Sequence, residues 1–548
     1  MKRDLLREIE ALSGRTHAII LTHDVDAFFV QTLVLRALRK CGHPALTIFA
    51  DGPSARETYG QARELLIGLG KRYRLVPIDL GSHRRWHPKA VLLTGPNDAT
   101  LWVGSGNLTF GGWRYNAEVW TRFDATVDGT APFHDLRAML LPLLDKYVPV
   151  NEPVRRDVQA AFSGRWVEGL RGDHRVVGRV DGPSLLDEVI GDSPPDVRAL
   201  TLLAPYFGPT GAAVPAWGDR VGAASISVRL SEQGHDLVEA AVRRWPSDTD
   251  VRTVVDTTDD SALVHAKAVR LEHRDGRITG WIGSANLSSA AWLATGTNGN
   301  AELMAKVTGE LAEAMLDELE VREPPTWAPE RSEPDQSDPG LRVLAARWDG
   351  RVLRVAWEDP GCTDLELLLD GVPAAFVPAE IVEIACNAPP SWAELHGWLR
   401  GARVRSRPMW VDNDAALASG AYVRVLADHV EADGSKARFD PDAWQRLMGH
   451  LARYAEPTEP KTGAEKVANI TTNAGEPFSV RFADLFAQGG APAERIAPPG
   501  PSYGGLQAWI RRVLDPRRKG SSIWGPGAEA AEKRASADAE GPWRTNVG

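Results

Sequence analysis

Residues 87–107 read HPKAVLLTGPNDATLWVGSGN, and residues 265–286 read HAKAVRLEHRDGRITGWIGSAN. Each stretch opens on a His-x-Lys triplet, His87 with Lys89 and His265 with Lys267. Each closes on Gly-Ser-x-Asn: Gly104, Ser105 and Asn107 in the first, Gly283, Ser284 and Asn286 in the second. The step from His to Gly is 17 residues in one copy and 18 in the other. An Asn-Ala-Glu triplet follows in both, Asn116 to Glu118 and Asn300 to Glu302, and a tryptophan (Trp113, Trp292) stands six residues after each motif Asn. A chain of this composition should contain about 0.3 His-x-Lys and about 0.05 Gly-Ser-x-Asn matches by chance. Both motifs occurring twice, in the same order and at nearly equal spacing, mark an internal duplication.

The spacing has a physical reading. A His and a Lys two apart on a strand project from the same face. Pro96-Asn97-Asp98 and Arg274-Asp275-Gly276 are turn signals, so each His-x-Lys strand should double back. The returning strand then ends at Gly-Ser-x-Asn, placing a close-packing backbone and an amide beside the imidazole and the ammonium. Such a set surrounds an anion and suits a phosphate. One half-site per lobe, related by a pseudo-twofold axis, brings two histidines to one phosphorus. One can attack while the other protonates the leaving oxygen.

Outward from the motifs, β-rich apolar runs lie at 18–22, 45–50, 73–80, 90–94, 100–104 and 117–123, with helical spacing at 28–41, 55–69 and 136–147. The same order recurs as strands at 199–206, 225–230, 251–257, 263–271, 278–283 and 301–307, with helices at 236–244 and 311–319. The expected fold is therefore α/β, with two similar lobes at 1–150 and 151–322. A Pro- and acid-rich linker follows at 323–340. Short strands at 342–348, 351–357, 365–369 and 381–385, punctuated by Asp-Gly and Pro-Gly, predict a small β-rich domain over 341–430. A C-terminal region, 431–548, is expected to hold one helix at 441–454 and to be partly disordered over 456–476 and 515–548.

These residues and spacings resemble the phospholipase D superfamily, the two-motif HKD phosphodiesterases, over residues 1 to about 322. The resemblance implies phospholipase D-like lobes and a reaction through a phosphohistidine without metal or other cofactor. It makes His87 and His265 the reacting pair, with His87 as nucleophile and His265 as general acid. Lys89, Lys267, Asn107 and Asn286 would hold phosphate oxygens, and Glu118 and Glu302 would hold a histidine Nδ1–H. The spacing does not say which glutamate serves which histidine. The superfamily's Asp, five residues after the Lys, is replaced here by Thr94 and Glu272. The tyrosyl-DNA phosphodiesterase branch also lacks that Asp, which points to nucleic acid rather than lipid.

Ser105 and Ser284 are candidate substrate contacts within the motifs. His23, with Asp24 and Asp26, follows the first strand and is placed at the cleft rim, although Asp26 serves equally as a helix N-cap. Tyr206 and Phe207 end the corresponding strand of the second lobe, where they either stack on a base or fill core. Arg84 and Arg85, in the cluster His83-Arg84-Arg85-Trp86, are candidate contacts to backbone phosphates. Trp113 and Trp292 read as packing under the Asn loops. A basic group at 511–519 reads as a solvated face.

The chain of 548 residues has 43% apolar and 25% charged residues, enough for three or four packed domains. It holds no run of about 18 apolar residues, and its first residues mix both charges, so neither a membrane span nor a secretory signal is expected. Cys41, Cys362 and Cys386 share no metal-type spacing, and a reduced cytoplasmic protein is expected. The net charge of −10 is concentrated in residues 301–400, with 8 basic and 20 acidic groups, whereas residues 1–100 hold 15 basic and 10 acidic groups. A DNA or RNA partner for the basic lobe is therefore compatible with the charge. The expected activity is a metal-independent nuclease with no membrane partner and with residues 341–548 open to a protein partner. The oligomeric state stays open, and a single chain should suffice for activity. The resemblance adds antiphage defence as a setting. A phospholipase or phosphatidyl transferase, and a catalytically silent nucleic-acid-binding module, are the alternatives.

Overall fold

A computed structural model describes residues 4–63, 66, 68–81, 83–167, 172–191, 196–232, 234–329 and 340–418. All of these belong to one compact unit, residues 1–423. The helix expected at 441–454, the disorder expected at 456–476 and 515–548 and the basic group at 511–519 fall outside the described residues.

The first sheet has six strands: β1 (His17–Leu21), β2 (Ala45–Asp51), β3 (Arg74–Ile78), β4 (Ala90–Thr94), β5 (Ala99–Gly104) and β6 (Trp120–Asp124). Their order is β3-β2-β1-β4-β5-β6. The first three run parallel, and β4 turns antiparallel against β1, with His17 opposite Thr94 and Leu21 opposite Ala90. Nearly every residue of β2 to β5 is buried, as in a sheet covered on both faces. Helix Ala131–Tyr147 covers one face through Phe133, Leu136, Leu140 and Leu144, which share a core with Leu101, Val103 and Trp166.

The second sheet has eight strands: β7 (Val176–Arg179), β8 (Val197–Leu203), β9 (Ser225–Ser231), β10 (Asp250–Asp256), β11 (Ala268–His273), β12 (Ile278–Gly283), β13 (Glu302–Thr308) and β14 (Leu319–Val321). Within it, the run β10-β9-β8-β11-β12-β13 repeats the order of the first sheet, with β8, β9 and β10 parallel and β11 antiparallel to β8. Its core gathers Trp217, Trp292, Phe207 and Leu202, all fully buried. Leu303 and Ala305 of β13 belong instead to the core of the first sheet.

Several helices differ from expectation. The segment expected at 311–319 is helical only over Glu310–Glu313, and Leu319–Val321 instead pairs as β14 with the edge strand β10. Edge pairing satisfies backbone groups that a helix end would leave bare. The segment expected at 236–244 is helical only over Glu239–Val242. Asp236 is held out because its carboxylate accepts the N–H groups of Phe207 at 2.6 Å and Gly208 at 3.2 Å. The segment 28–41 is broken by a wide, π-type turn over Val30–Val34.

The β-rich part forms two sheets. One comprises β15 (Arg342–Trp348), β16 (Val352–Glu358), β19 (Ile381–Ala385) and β23 (Asp412–Asn413). The other comprises β17 (Thr363–Leu369), β18 (Val372–Ala374), β20 (Trp392–Leu399), β21 (Ala402–Arg405) and β22 (Met409–Trp410). It docks beside β3, where Arg74 is ion-paired to Asp412 at 2.8 Å and Asp414 at 3.0 Å. Asn413 donates its N–H to Gly70 O at 2.6 Å, and Tyr59 packs edge-on against Trp410 at 5.3 Å. Among the described residues no helix is long and apolar enough to cross a membrane.

Candidate active site

Each His-x-Lys triplet lies just before an antiparallel strand, β4 or β11, whose neighbour β5 or β12 carries the motif glycine at its end. The glycine closes the triplet onto the sheet: Gly104 donates to Lys89 O at 3.2 Å, and Gly283 to Lys267 O at 3.3 Å. A Cβ on Gly104 would run into Val119 O, and one on Gly283 into Leu303 O. Only glycine lets the strand carrying the glutamate approach this closely.

The two halves are joined by exchange of backbone. The N–H of His87 donates to Ala301 O at 3.0 Å, and Ala301 donates back to Arg85 O at 2.9 Å. In the other direction His265 donates to Ala117 O at 3.0 Å, and Ala117 to Leu263 O at 2.9 Å. Each Asn-Ala-Glu triplet thus lies against the histidine segment of the opposite copy. The side chains follow. His87 Nδ1 lies 2.9 Å from Glu302 Oε2, and His265 Nδ1 lies 2.8 Å from Glu118 Oε1. A carboxylate at Nδ1 fixes the proton there and leaves Nε2 as the working nitrogen of each ring.

The serines hold the glutamates. Ser105 Oγ donates to Glu118 and Ser284 Oγ to Glu302, and the same oxygens accept the N–H of Val119 at 3.0 Å and of Leu303 at 2.9 Å. Both serines are fully buried. Their expected role as substrate contacts is corrected: their hydroxyls are engaged on the carboxylates.

Lys89 and Lys267 are 0% exposed. Each Nζ donates to the backbone oxygen of its own histidine, at 2.7 Å for His87 and 2.6 Å for His265. Lys267 Nζ also lies 2.9 Å from His265 Nε2. Burial lowers Lys89 to about 8, against the pull of Glu302 and Asp24. Burial lowers Lys267 to about 7, with Lys89 pushing the same way and Glu118 opposing. A bound anion would restore both charges. Among the described residues, the Oδ1 atoms of Asn107 and Asn286 are buried without a hydrogen-bond partner. Turned over about its last torsion, each amide presents its NH2 there as a donor to an oxyanion.

The electrostatics differ between the halves. Burial, then Lys89, His23, Lys267 and His265, hold His87 well below its ordinary value, so its ring is neutral. Burial also lowers His265, but Glu118 opposes the shift. Burial pushes Glu118 up, yet His265, their hydrogen bond, Lys267 and Ser105 outweigh it and keep the carboxyl below its usual range. Burial keeps Glu302 above that range despite Lys89.

His23 lies beside His87, with ring centroids 5.3 Å apart, and its Nδ1 is 3.2 Å from Trp86 O. Asp26 accepts the N–H of Phe29 at 2.9 Å and caps the short helix that begins at Ala27. Tyr206 lies 6.1 Å from His265, edge-on, while Phe207 is fully buried in the core. Trp113 and Trp292 are buried at 5% and 0% exposure. Arg85 is exposed, and its N–H donates to Asn300 Oδ1 at 3.0 Å. Arg84 is corrected. Its buried guanidinium donates to Gly299 O at 2.7 Å, Tyr147 Oη at 3.0 Å and Asp181 Oδ1 at 2.9 Å, and also to Val180 O. It ties the His87 segment to the loop that leads into Glu302 and is not a phosphate ligand. Trp86 of the same cluster is core, 0% exposed. Thr94 is buried at the end of β4, and Glu272 is ion-paired with Arg198 at 2.7 Å and with Arg270.

Two residues outside the sequence candidates support the site. Buried Arg179 donates to Asn300 O at 2.7 Å, to Pro183 O at 2.9 Å and to Gly296 O at 3.1 Å, fixing the loop before Glu302. Buried Asp51 accepts the N–H of Trp86 at 2.8 Å, one residue before His87. Neither position carried a motif signal. Among the described residues no group of three or more His, Cys, Asp or Glu side chains is arranged to hold a metal ion.

No protein-family model matches the chain, and no curated protein matches it. Solved structures that are similar in part include the following two. Polyphosphate kinase from Porphyromonas gingivalis aligns with 57% of this chain at 12% identity and a TM-score of 0.32; the chain spans 46% of that protein's length. A mutant of yeast tyrosyl-DNA phosphodiesterase aligns with 55% of this chain, and 85% of its own, at 13% identity and a TM-score of 0.35.

Proposed function

We propose that the protein is a metal-independent phosphodiesterase, and specifically a nuclease that cleaves DNA or RNA through a phosphohistidine. The observation that carries this reading is the pair of crossed contacts, His87 to Glu302 and His265 to Glu118, each beside a fully buried lysine. Two oriented imidazoles, two lysines and two amides suit a phosphate diester. On this reading residues 1–150 and 151–322 are two lobes about a pseudo-twofold axis, joined by the linker 323–340 to a β-rich domain at 341–430 and the region 431–548. The repeated strand order and the reciprocal backbone exchange support that division. The cytoplasmic setting rests on the composition and cysteine usage of the sequence, and a role in antiphage defence on the sequence resemblance alone.

The chemistry then runs in two displacements. His87 Nε2, neutral, attacks phosphorus, and the P–O bond to the leaving group breaks as that oxygen takes the proton from His265 Nε2. Water next attacks the phosphorus and gives its proton back to His265, and the P–N bond breaks. Lys267 Nζ lies 2.9 Å from His265 Nε2, and the negative charge of a bound phosphate favours the protonated form of both groups. Lys89, Lys267, Asn107 and Asn286 hold the non-bridging oxygens.

The test is an incubation in excess EDTA with labelled single- and double-stranded DNA, RNA and phosphatidylcholine. Cleavage of a nucleic acid should persist undiminished. Activity lost to EDTA and restored by Mg²⁺ would overturn the mechanism, and release of choline alone would move the substrate to lipid.

The lysine shifts give a pH profile. Both lysines must carry charge to hold the phosphate, and burial lowers them to about 7 and about 8 in the free protein. Their charged fraction falls as pH rises, so kcat/KM should decline through pH 7 to 8. The nucleophile is already neutral well below 6.5 and sets only a more acidic limb. A pH–rate profile at saturating and sub-saturating substrate checks this. In kcat the alkaline fall should move to higher pH, because a bound phosphate favours the charged forms of the lysines and of the acid His265 alike.

A further inference from the structure

The two half-sites differ most in the ring that stands beside each histidine. Beside His87 it is His23, two residues beyond β1. Its setting is polar: Nδ1 lies 3.2 Å from Trp86 O and 3.9 Å from Asp51, and Nε2 lies 3.9 Å from Asp24. Beside His265 it is Tyr206, three residues beyond β8, with ring centroids 6.1 Å apart at 69°.

The backbone around Tyr206 is fixed on both sides. Its own carbonyl accepts the N–H of Leu287 at 2.9 Å, the residue after the phosphate-holding Asn286. The next two N–H groups are held by Asp236, and the Phe207 ring is buried against Trp245 at 6.0 Å. Yet the Tyr206 residue remains 39% exposed, beside a histidine that is 9% exposed. A large ring on a fixed backbone, open to solvent at the mouth of a site, loses little entropy when a flat ligand lies on it.

In an in-line displacement the entering and leaving atoms occupy opposite sides of phosphorus. The leaving oxygen is the one that meets His265, so the sugar and base attached to it extend toward the side that Tyr206 occupies. The retained half is bonded equatorially, off the line that joins the two histidines. We propose that Tyr206 is the stacking platform for the base of the leaving nucleoside, so that the substrate is a nucleic acid whose leaving residue is unpaired. This rests on the phosphodiesterase reading above and adds to it a strand preference: a base stacked on Tyr206 is not stacked in a duplex.

The probes are the dinucleoside monophosphates TpT and UpU, each with two analogues in which one or the other base is absent. The product released without phosphate identifies the leaving nucleoside. Tyr206→Ala should lower kcat/KM by about 10- to 100-fold on the intact compounds and on those lacking the retained base, as loss of one base–aromatic stack implies. On compounds lacking the leaving base the wild-type protein should already be that slow, and the substitution should change the rate by less than about twofold. Tyr206→Phe keeps the ring and should match the wild type, which separates loss of stacking from loss of folding. Three results would overturn the proposal: a loss equal on all compounds, a loss that disappears only when the retained base is absent, or no loss at all. A wild-type protein that cuts neither these compounds nor longer single strands would instead remove the phosphodiesterase reading, and the proposal with it.

Discussion

His87→Ala should form no covalent adduct and show no measurable turnover, a loss of about four orders of magnitude or more, because the nucleophile itself is removed. His265→Ala should fail differently. General-acid catalysis is worth about 10²- to 10⁴-fold, and the loss should fall mainly on leaving groups that need a proton. With a p-nitrophenyl ester the first displacement needs no acid, so the His265→Ala protein should accumulate phosphohistidine at position 87, since the water that follows has lost its base. Denaturation without acid, followed by mass spectrometry, reads the adduct directly. The electrostatics favour this assignment over its reverse. His87 is held well below its ordinary value by burial, with Lys89, His23, Lys267 and His265 pushing the same way, whereas at His265 Glu118 opposes the effect of burial. An adduct on His265 in the His87→Ala protein would reverse the roles, and no adduct under any condition would favour direct attack by water.

The crossed pairing makes the second large prediction. Glu302→Gln should behave like a change at His87, and Glu118→Gln like a change at His265, although each glutamate is far closer in sequence to the other histidine. A glutamine can donate its amide N–H to Nδ1 and so favour the tautomer with its proton on Nε2, the wrong one for a nucleophile. Inverting the tautomer of a catalytic histidine costs about 10⁴-fold in serine proteases. A loss of similar order is expected for Glu302→Gln, on good and poor leaving groups alike. Glu118→Gln should slow poor leaving groups by about 10²-fold or more and leave p-nitrophenyl esters less affected, since it weakens only the acid. Burst kinetics with the two ester types separate the variants. The opposite pattern would require each glutamate to serve the histidine of its own copy.

That crossing was not legible in the sequence. The two copies are so alike that Glu118 and Glu302 are equivalent by spacing, and only the backbone exchange at Ala117 and Ala301 distinguishes partners. The motif groups themselves were readable, because a two-residue step on an extended segment and a turn followed by glycine leave few arrangements. Strands such as Ala90–Thr94, Ile278–Gly283 and Arg342–Trp348 matched the runs read from their apolar, β-branched content. Helices fared worse where tertiary contacts decide. Leu319 continues a helical spacing but pairs at a sheet edge, and Asp236 breaks another helix by capturing two amides. Helix Glu152–Ala161 presents Val154, Val158 and Ala161 on one buried face. That spacing was there to be found, but no expected element covered the segment. Arg84 misled for another reason: an arginine beside a motif histidine looks like a phosphate ligand, and only the folded loop at 296–300 supplies the carbonyls that engage it.

The reciprocal exchange between residues 85–87 and 301, and between 117 and 263–265, also bears on synthesis. The first copy of the motif has its His, Lys, Ser and Asn by residue 107, and chains begin to fold from the N-terminus while the rest is still being made. Nevertheless, His87 has no carboxylate until Glu302 has been translated and folded against it. A growing chain released early by a broken message therefore carries an unoriented nucleophile and no acid. On the proposed reading the topology acts as a timer that withholds activity from any chain that ends before residue 302.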